Sequence, residues 1–205
     1  MIIGLIGLIG SGKGTVGNML IDKGFRSESF ANSLKDATAS IFGWDRAMLE
    51  GDTDKSRAQR ETIDEWWSKR LNIPDFTPRL ALQLLGTDVF RNNFHQDTWI
   101  LSLEKRLSRI EHNVVITDAR FPNEVAMIRR AGGKVVRVKR GEDPDWFEVA
   151  KHNVDTMPHL HPEIHASEYM WASIVPDYLI TNEGTIDDLY VVVKDLLEDL
   201  QSANQ

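Results

Sequence analysis

Cysteine is absent from the 205 residues, so the chain has no disulfide, no thiol nucleophile and no thiolate metal site. Long apolar runs are missing too. None reaches the ~18 residues a membrane-crossing helix needs. The stretch from Met1 to Gly10 is apolar, but it has no basic leader and no small-residue cleavage site, and it runs into a lysine-bearing glycine segment. It reads as a buried strand, not a secretion signal. Positive charge is also in short supply. Twenty-four Lys and Arg face 31 Asp and Glu, a formal charge of −7. That balance argues against a surface devoted to nucleic acid, although a local basic groove is compatible with it. No internal repeat or low-complexity tract is present. The hydrophobic share of 41% and the charged share of 27% exclude wholesale disorder. These exclusions point to a cytoplasmic globular protein with a core of its own.

Strands and helices alternate along what remains. Residues 2–9 form a branched-aliphatic run suited to a central parallel strand buried on both faces. A helix is expected over 13–23, closed by Gly24, and a short strand over 25–30. Leu34, Ala37, Thr38, Ile41 and Phe42 recur at helical spacing up to Gly43. Residues 44–56 are polar and read as a surface loop. A helix is expected over 56–71. Another opens at Thr77 and Pro78, with Gly86 as a candidate end, and a third covers 98–110. Strands over 113–117, 134–138 and 178–181 follow, with a helix over 122–131 between the first two. Residues 140–165 look irregular. The final helix starts at Thr185, where Asp188 completes a capping box. Alternation of this kind predicts an α/β domain with a mainly parallel sheet.

The strongest motif is Gly7-Leu8-Ile9-Gly10-Ser11-Gly12-Lys13-Gly14-Thr15. It matches G-x-x-x-x-G-K, follows a buried strand and opens a helix, which is the context that motif requires. Glycines at 10, 12 and 14 let successive N–H groups turn inward around a phosphate. The helix adds its positive end, and Lys13 adds a mobile charge for the β- and γ-phosphates. Gly10, Ser11, Gly12, Lys13, Gly14 and Thr15 are thus the expected ATP cradle. Gly14 stands where many phosphate-loop NTPases carry the magnesium-holding Ser or Thr. The loop instead resembles that of nucleoside monophosphate kinases such as adenylate kinase. Magnesium would then be held by phosphates, water and a carboxylate elsewhere.

That carboxylate is expected at Asp118. It ends the apolar strand 113–117, and ligands of open α/β sheets bind at such carboxyl ends. Asp118 could alternatively cap the helix starting near Pro122. Arg120 follows on the same loop. A phosphate acceptor adds a second polyanion, and like unit charges ~4 Å apart cost about 4 kcal/mol at an effective dielectric of 20. Fixed arginines suit this task. Arg79 and Gln83 share a helix face, Gly86 lies near it a turn later, and Arg91 follows. Lys35 is a further candidate.

Several segments together resemble the bacteriophage-type deoxynucleoside monophosphate kinases of the P-loop nucleoside monophosphate kinase superfamily. They are residues 29–35, 78–91, 117–124, His165-Ala166-Ser167-Glu168 and 180–185. The resemblance spans nearly the whole chain in the right order. It departs at Asn32-Ser33, where Asp-Pro is expected. It implies a three-layer P-loop NTPase fold with a mainly parallel five-stranded sheet, inserted acceptor-binding helices and a lid. As one domain this would comprise a core of about 1–30, 111–140 and 176–203, an insertion of about 31–110 and a lid of about 140–170. It implies ATP-dependent phosphorylation of a deoxynucleoside monophosphate to the diphosphate, supplying precursors for phage DNA synthesis in the host cytoplasm. It also implies that Arg79, Gln83, Arg91 and Arg120 surround the acceptor.

On this reading ATP and Mg2+ are the cofactors, with Asp118 reaching the metal through water. Lys13, Arg120 and Arg140 would stabilise the transferring group. Acceptor contacts would come from Lys35, Arg79, Gln83, Arg91, Asp118, Arg120 and Lys151, and Arg140 and Lys151 could deliver charge as the lid closes. Asn182, after the last strand, is a candidate contact for the ATP base. His152, His159, His161 and His165 lack a cysteine partner and read as lid or surface residues, not zinc ligands. No stable nucleic-acid or membrane partner is expected. The helices between 56 and 110 fit either an insertion or a homodimer interface. The rival readings are a kinase of another small molecule, such as dephospho-coenzyme A, and a nucleotide-gated binding protein. A polynucleotide end kinase fits the charge of −7 poorly.

Overall fold

A computed structural model describes residues 1–202. The strands are β1 (Ile2–Ile6), β2 (Arg26–Glu28), β3 (Val114–Ile116), β4 (Lys134–Lys139) and β5 (Tyr178–Thr181). The helices are α1 (Lys13–Asp22), α2 (Asn32–Phe42), α3 (Asp54–Glu61), α4 (Glu65–Leu71), α5 (Pro78–Gln83), α6 (Thr98–Leu107), α7 (Pro122–Arg130), α8 (Trp146–His152), α9 (Met157–Leu160), α10 (Ala166–Tyr169) and α11 (Ile186–Ser202). A π-helical stretch, Leu84–Asn92, continues α5. The chain divides into two compact units, one of Met1–Ser29 with the chain from Glu104 onward, the other Phe30–Leu103.

The first unit is built on one parallel sheet in the order β2-β3-β1-β4-β5. β1 lies at its centre and pairs with β3 on one side and β4 on the other. Its alternation sorts the two faces. Ile3 and Leu5 join Val115, Val136, Val138, Val16 and Leu20 in a buried core with Leu189, Val193, Leu196 and Leu197 of α11. Each such side chain contributes about 1.5–3 kcal/mol relative to exposure. On the opposite face Gly4 meets α7, where a Cβ would lie 2.5 Å from Ile128 Cδ1. The sheet is therefore sandwiched by helices, a three-layer α/β fold.

The central strand stops at Ile6, three residues before the end that the apolar run predicts. Gly7 has φ 146°, and a Cβ there would lie 2.3 Å from the Val138 carbonyl, so the chain turns out of the sheet where only glycine fits. Ile9 is exposed. Residues 140–165, expected to be irregular, are largely helical. Phe147, Ala150 and Met157 of this region are buried, as are Tyr169 and Trp171 just after it. Arg137 on β4 stacks against Phe147 and Trp171, 4.4 and 5.3 Å from their ring centroids, and pairs with Asp143.

The second unit has a core centred on Phe42, Trp44, Trp67 and Phe76, with Phe42 stacked 4.6 Å from Trp44 and tilted against Phe76 at 5.4 Å. The single helix expected over 56–71 is two helices. Asp64 breaks it by accepting from Trp67 N at 3.0 Å and from the Trp44 indole at 2.8 Å. The loop expected over 44–56 contains a 3-10 turn, Ala47–Leu49, and buries Leu49 completely. Gly86 does not end its helix. It is buried in the π-helical stretch, its carbonyl accepts from the Trp99 indole at 2.9 Å, and a Cβ there would meet Leu34 Cδ2 at 2.7 Å. Gly86 thus gives room to the chain's own Leu34.

Candidate active site

The glycine loop leaves the carboxyl end of β1 and enters α1 through Gly12, which has φ 102°. Gly10 also lies in the left-handed region, with φ 78°. Two contacts fix the loop. Ser11 N donates to the Leu8 carbonyl at 3.2 Å, and Asn182 Nδ2 donates to the Ser11 carbonyl at 2.9 Å. A Cβ on Gly12 would lie 2.4 Å from Asn182 Nδ2. Asn182, expected to face the ATP base, therefore also holds the loop backbone from the end of β5. Around Gly10 and Gly14 the space is open, with no atom within 4 Å of an added Cβ. Gly10, Gly12, Lys13, Gly14, Thr15, Thr117, Arg140, Asn182 and Thr185 line one cleft of about 630 Å³. That volume lies within the ~300–1,000 Å³ common for small-molecule sites.

Lys13 curls over the loop, and its Nζ donates to the carbonyls of Gly7 at 2.7 Å and Leu8 at 2.8 Å. Burial, and then the Arg120 guanidinium, lower its pKa from 10.5 to about 8, while the Glu168 carboxylate pulls the other way. A polyanion is the natural remedy for two cations held so close. Arg120 is positioned from both ends. The buried Glu124 accepts its backbone N at 2.8 Å, and Glu168 of α10 accepts its guanidinium at 2.5 Å. His165 caps α10 by accepting from Ser167 N at 3.2 Å. Arg140 forms no ion pair among the described residues and projects into the cleft lining.

Asp118 stands at the end of β3, half-buried, and accepts from Ser29 Oγ at 2.6 Å. At the start of α7, Glu124 accepts from the Phe121 backbone N at 3.1 Å. Ser29 is held by Arg106, which donates to its carbonyl at 2.8 Å and to the buried Glu28 at 3.1 Å. Ser29 and Glu124, which bond Asp118 and the Arg120 backbone, are residues that the sequence reading leaves without a role. Their signals were present, since both fall inside segments that carry the family resemblance. Lys151 pairs with Glu148 on α8 at 3.6 Å and is absent from the cleft lining. Among the described residues no three His, Cys, Asp or Glu side chains group as a metal site.

The remaining candidates lie in the second unit. Lys35 donates to Glu50 at 2.6 Å. Arg79 is exposed and pairs with Glu61 at 2.9 Å. Gln83 is exposed, and Arg91 lies half-buried on the π-helical stretch.

A parallel sheet in this strand order, with a glycine loop and lysine after its central strand, defines a phosphate-loop NTPase fold. The sequence profile of the deoxynucleotide monophosphate kinases matches residues 39–193, and the chain belongs to that family. It is 29% identical, over 100% of both chains, to a protein of Acanthamoeba polyphaga mimivirus named for the same activity. A stretch of 54 residues is 43% identical to the deoxynucleoside-5'-monophosphate kinase of Escherichia phage T5, covering 26% of this chain and 22% of that one. Among solved structures, the dephospho-CoA kinase from Campylobacter jejuni aligns with 97% of this chain and 96% of its own, at 14% identity and a TM-score of 0.46. Shikimate kinase from Aquifex aeolicus aligns with 100% and 98%, at 16% identity and a TM-score of 0.44. The protein is a nucleotide kinase, and no helix among the described residues is long and apolar enough to cross a membrane.

Proposed function

We propose that the protein transfers the γ-phosphoryl group of ATP to the 5'-phosphate of a deoxynucleoside monophosphate, supplying DNA precursors in the cytoplasm of an infected host. An oxygen of the acceptor phosphate bonds to the γ-phosphorus. The bond from that phosphorus to the β–γ bridging oxygen breaks, its electron pair stays on that oxygen, and ADP leaves. The acceptor is already anionic at neutral pH, so no strong base is required. The observation that carries this reading is the convergence of Lys13, Arg140 and the glycine loop on one cleft, with Arg120 close enough to depress the Lys13 pKa.

In this scheme Lys13 binds the β- and γ-phosphates, while Arg120 and Arg140 stabilise the equatorial oxygens in flight. Arg79, Gln83, Arg91 and Lys151 serve the acceptor, Lys35 is taken up by Glu50, and Asn182 keeps the loop in shape beside the nucleotide. The donor set suits magnesium: the Asp118 carboxylate beside a serine hydroxyl, with phosphates and water completing an oxygen shell. Bound there, Mg2+ would supply charge neutralisation to the phosphates, with Asp118 as its water-mediated anchor.

The test is a phosphoryl-transfer screen with ATP and Mg2+ over all common ribo- and deoxyribonucleoside monophosphates, with dephospho-coenzyme A beside them. Diphosphate formed from at least one deoxynucleotide, and no product from dephospho-coenzyme A, is the expected result. A chain that binds ATP and phosphorylates none of the nucleotides would overturn the reading.

A further inference from the structure

The segment His165-Ala166-Ser167-Glu168 carries part of the family resemblance, yet no step of the transfer uses it. Contacts at both of its ends hold it in place. His165 starts α10, its Nδ1 accepting from Ser167 N at 3.2 Å and lying 2.9 Å from Ser167 Oγ. At the other end Tyr169 and Trp171 are buried, and the Trp171 ring packs 5.5 Å from that of Phe147 on α8. A helix of 4 residues has little stability of its own, so these contacts fix where its side chains point.

Two of those side chains meet Arg120. Its Nη1 donates to Glu168 Oε1 at 2.5 Å and to Ser167 Oγ at 3.3 Å. Both contacts fall on one terminal nitrogen. Nε and the other terminal nitrogen have no partner among the described residues. The guanidinium is gripped at one corner, which leaves the rest of its fork for phosphate oxygens. The ion pair is partly open to solvent, with the Arg120 side chain 40% and that of Glu168 20% exposed. Pairs of that exposure add little to folding. What this pair determines is where the guanidinium sits.

The charge of Glu168 has a second effect. The charged groups acting on Lys13 are Arg120, from the loop after β3, which opposes its ammonium, and Glu168, from α10, which favours it. Arg140, after β4, shares the Lys13 cleft. One carboxylate thus serves two cations that repel each other.

We propose that Glu168 is a positioning residue for phosphoryl transfer. It holds Arg120 by one corner, so that the remaining N–H groups can take the transferring group, and its negative charge lets Arg120 stand beside Lys13 before the phosphates bind. This inference rests on the kinase reading above.

The experiment compares the full-length protein with Glu168→Gln, Glu168→Ala and Glu168→Asp, each shown by circular dichroism to be folded. The Gln variant keeps an acceptor for Arg120 and loses the charge. The Ala variant loses both, and the Asp variant keeps the charge on a shorter arm. The first readout is ATP affinity by calorimetric titration from pH 7 to 9.5, with no acceptor present. In the Gln and Ala variants the pH above which affinity falls should move down by about half a unit or more, while the Asp variant stays near the parent. The second readout is kcat and KM at pH 7 with the best monophosphate from the screen. In the Ala variant kcat should drop at least tenfold with both KM values within threefold of the parent, and the Gln and Asp variants should recover part of the loss. A parental pH profile in the folded Gln and Ala variants would overturn the proposal. So would a parental kcat in the Ala variant, or a rise in KM with kcat unchanged, which marks a merely structural role. If the screen finds no nucleotide acceptor, the kinase reading fails by itself. The pH profile needs only ATP, so its shift or its constancy would then still decide whether Glu168 is the counter-charge of this pair.

Discussion

Lys13 is held where its own charge is disfavoured, and this has consequences that can be measured. Its pKa of about 8 lies below the 10.5 of the unfolded chain. Between those values the unfolded state binds more protons, so this residue makes folding stability rise with pH across that window. ATP binding runs the other way, because the polyanion prefers the ammonium. ATP affinity is expected to fall above pH 8, approaching about tenfold per pH unit. Lys13→Met should flatten both profiles, and Lys13→Ala should abolish turnover without unfolding the chain. A parent affinity that stays flat from pH 7 to 9.5 would contradict this. Gly12→Ala tests the loop itself. Its Cβ would collide with Asn182 at 2.4 Å and its φ of 102° is strained for alanine, so ATP affinity should drop more than tenfold. Asn182→Ala removes only the 2.9 Å bond to Ser11, and its loss should be smaller. At this scale the motif residues were readable because the loop is contiguous in sequence. Ser29, Glu124 and Glu168 were not, since their roles depend on partners or neighbours brought near by folding.

Among the elements, α4 shows how a local pattern is overridden. Apolar spacing over 56–71 is consistent with one helix, and nothing local tells an interior aspartate from a cap. The decision lies with Trp44, whose indole claims the Asp64 carboxylate from twenty residues away. Asp64→Ala removes an N-cap bond and an indole bond together. It should destabilise the protein by about 2–3 kcal/mol, read as a lower urea midpoint at unchanged slope. A change under half that size would mean the cap is dispensable. Gly86 was misread as a helix end for a related reason: its carbonyl is taken by Trp99, so the backbone has a partner without terminating. The segment 140–165 looked irregular because Pro144 and Pro158 interrupt any long period. The structure uses Pro158 inside the first turn of a short helix, where a missing N–H costs nothing. By contrast β1, α1 and the capping box of Thr185 and Asp188 were legible, since each depends on residues within a few positions.

For the whole molecule, ligand binding and folding are linked. A ligand that binds only the folded state stabilises it by about 2.7 kcal/mol at a hundred times its Kd. ATP with Mg2+ and the correct monophosphate should therefore each raise the melting temperature, and noncognate nucleotides should not. A melting temperature indifferent to every monophosphate, in a chain that ATP does stabilise, would count against the acceptor assignment while preserving the donor site. The amino-acid sequence by itself determined the α/β class, the phosphate loop and the family, because these rest on local periodicity and on a contiguous motif. The tertiary structure alone decided which charges are spent on one another and which stay unmatched. Lys35 neutralises Glu50 while Arg60 forms no ion pair among the described residues, and that difference is set by which side chains the fold brings within a few ångströms.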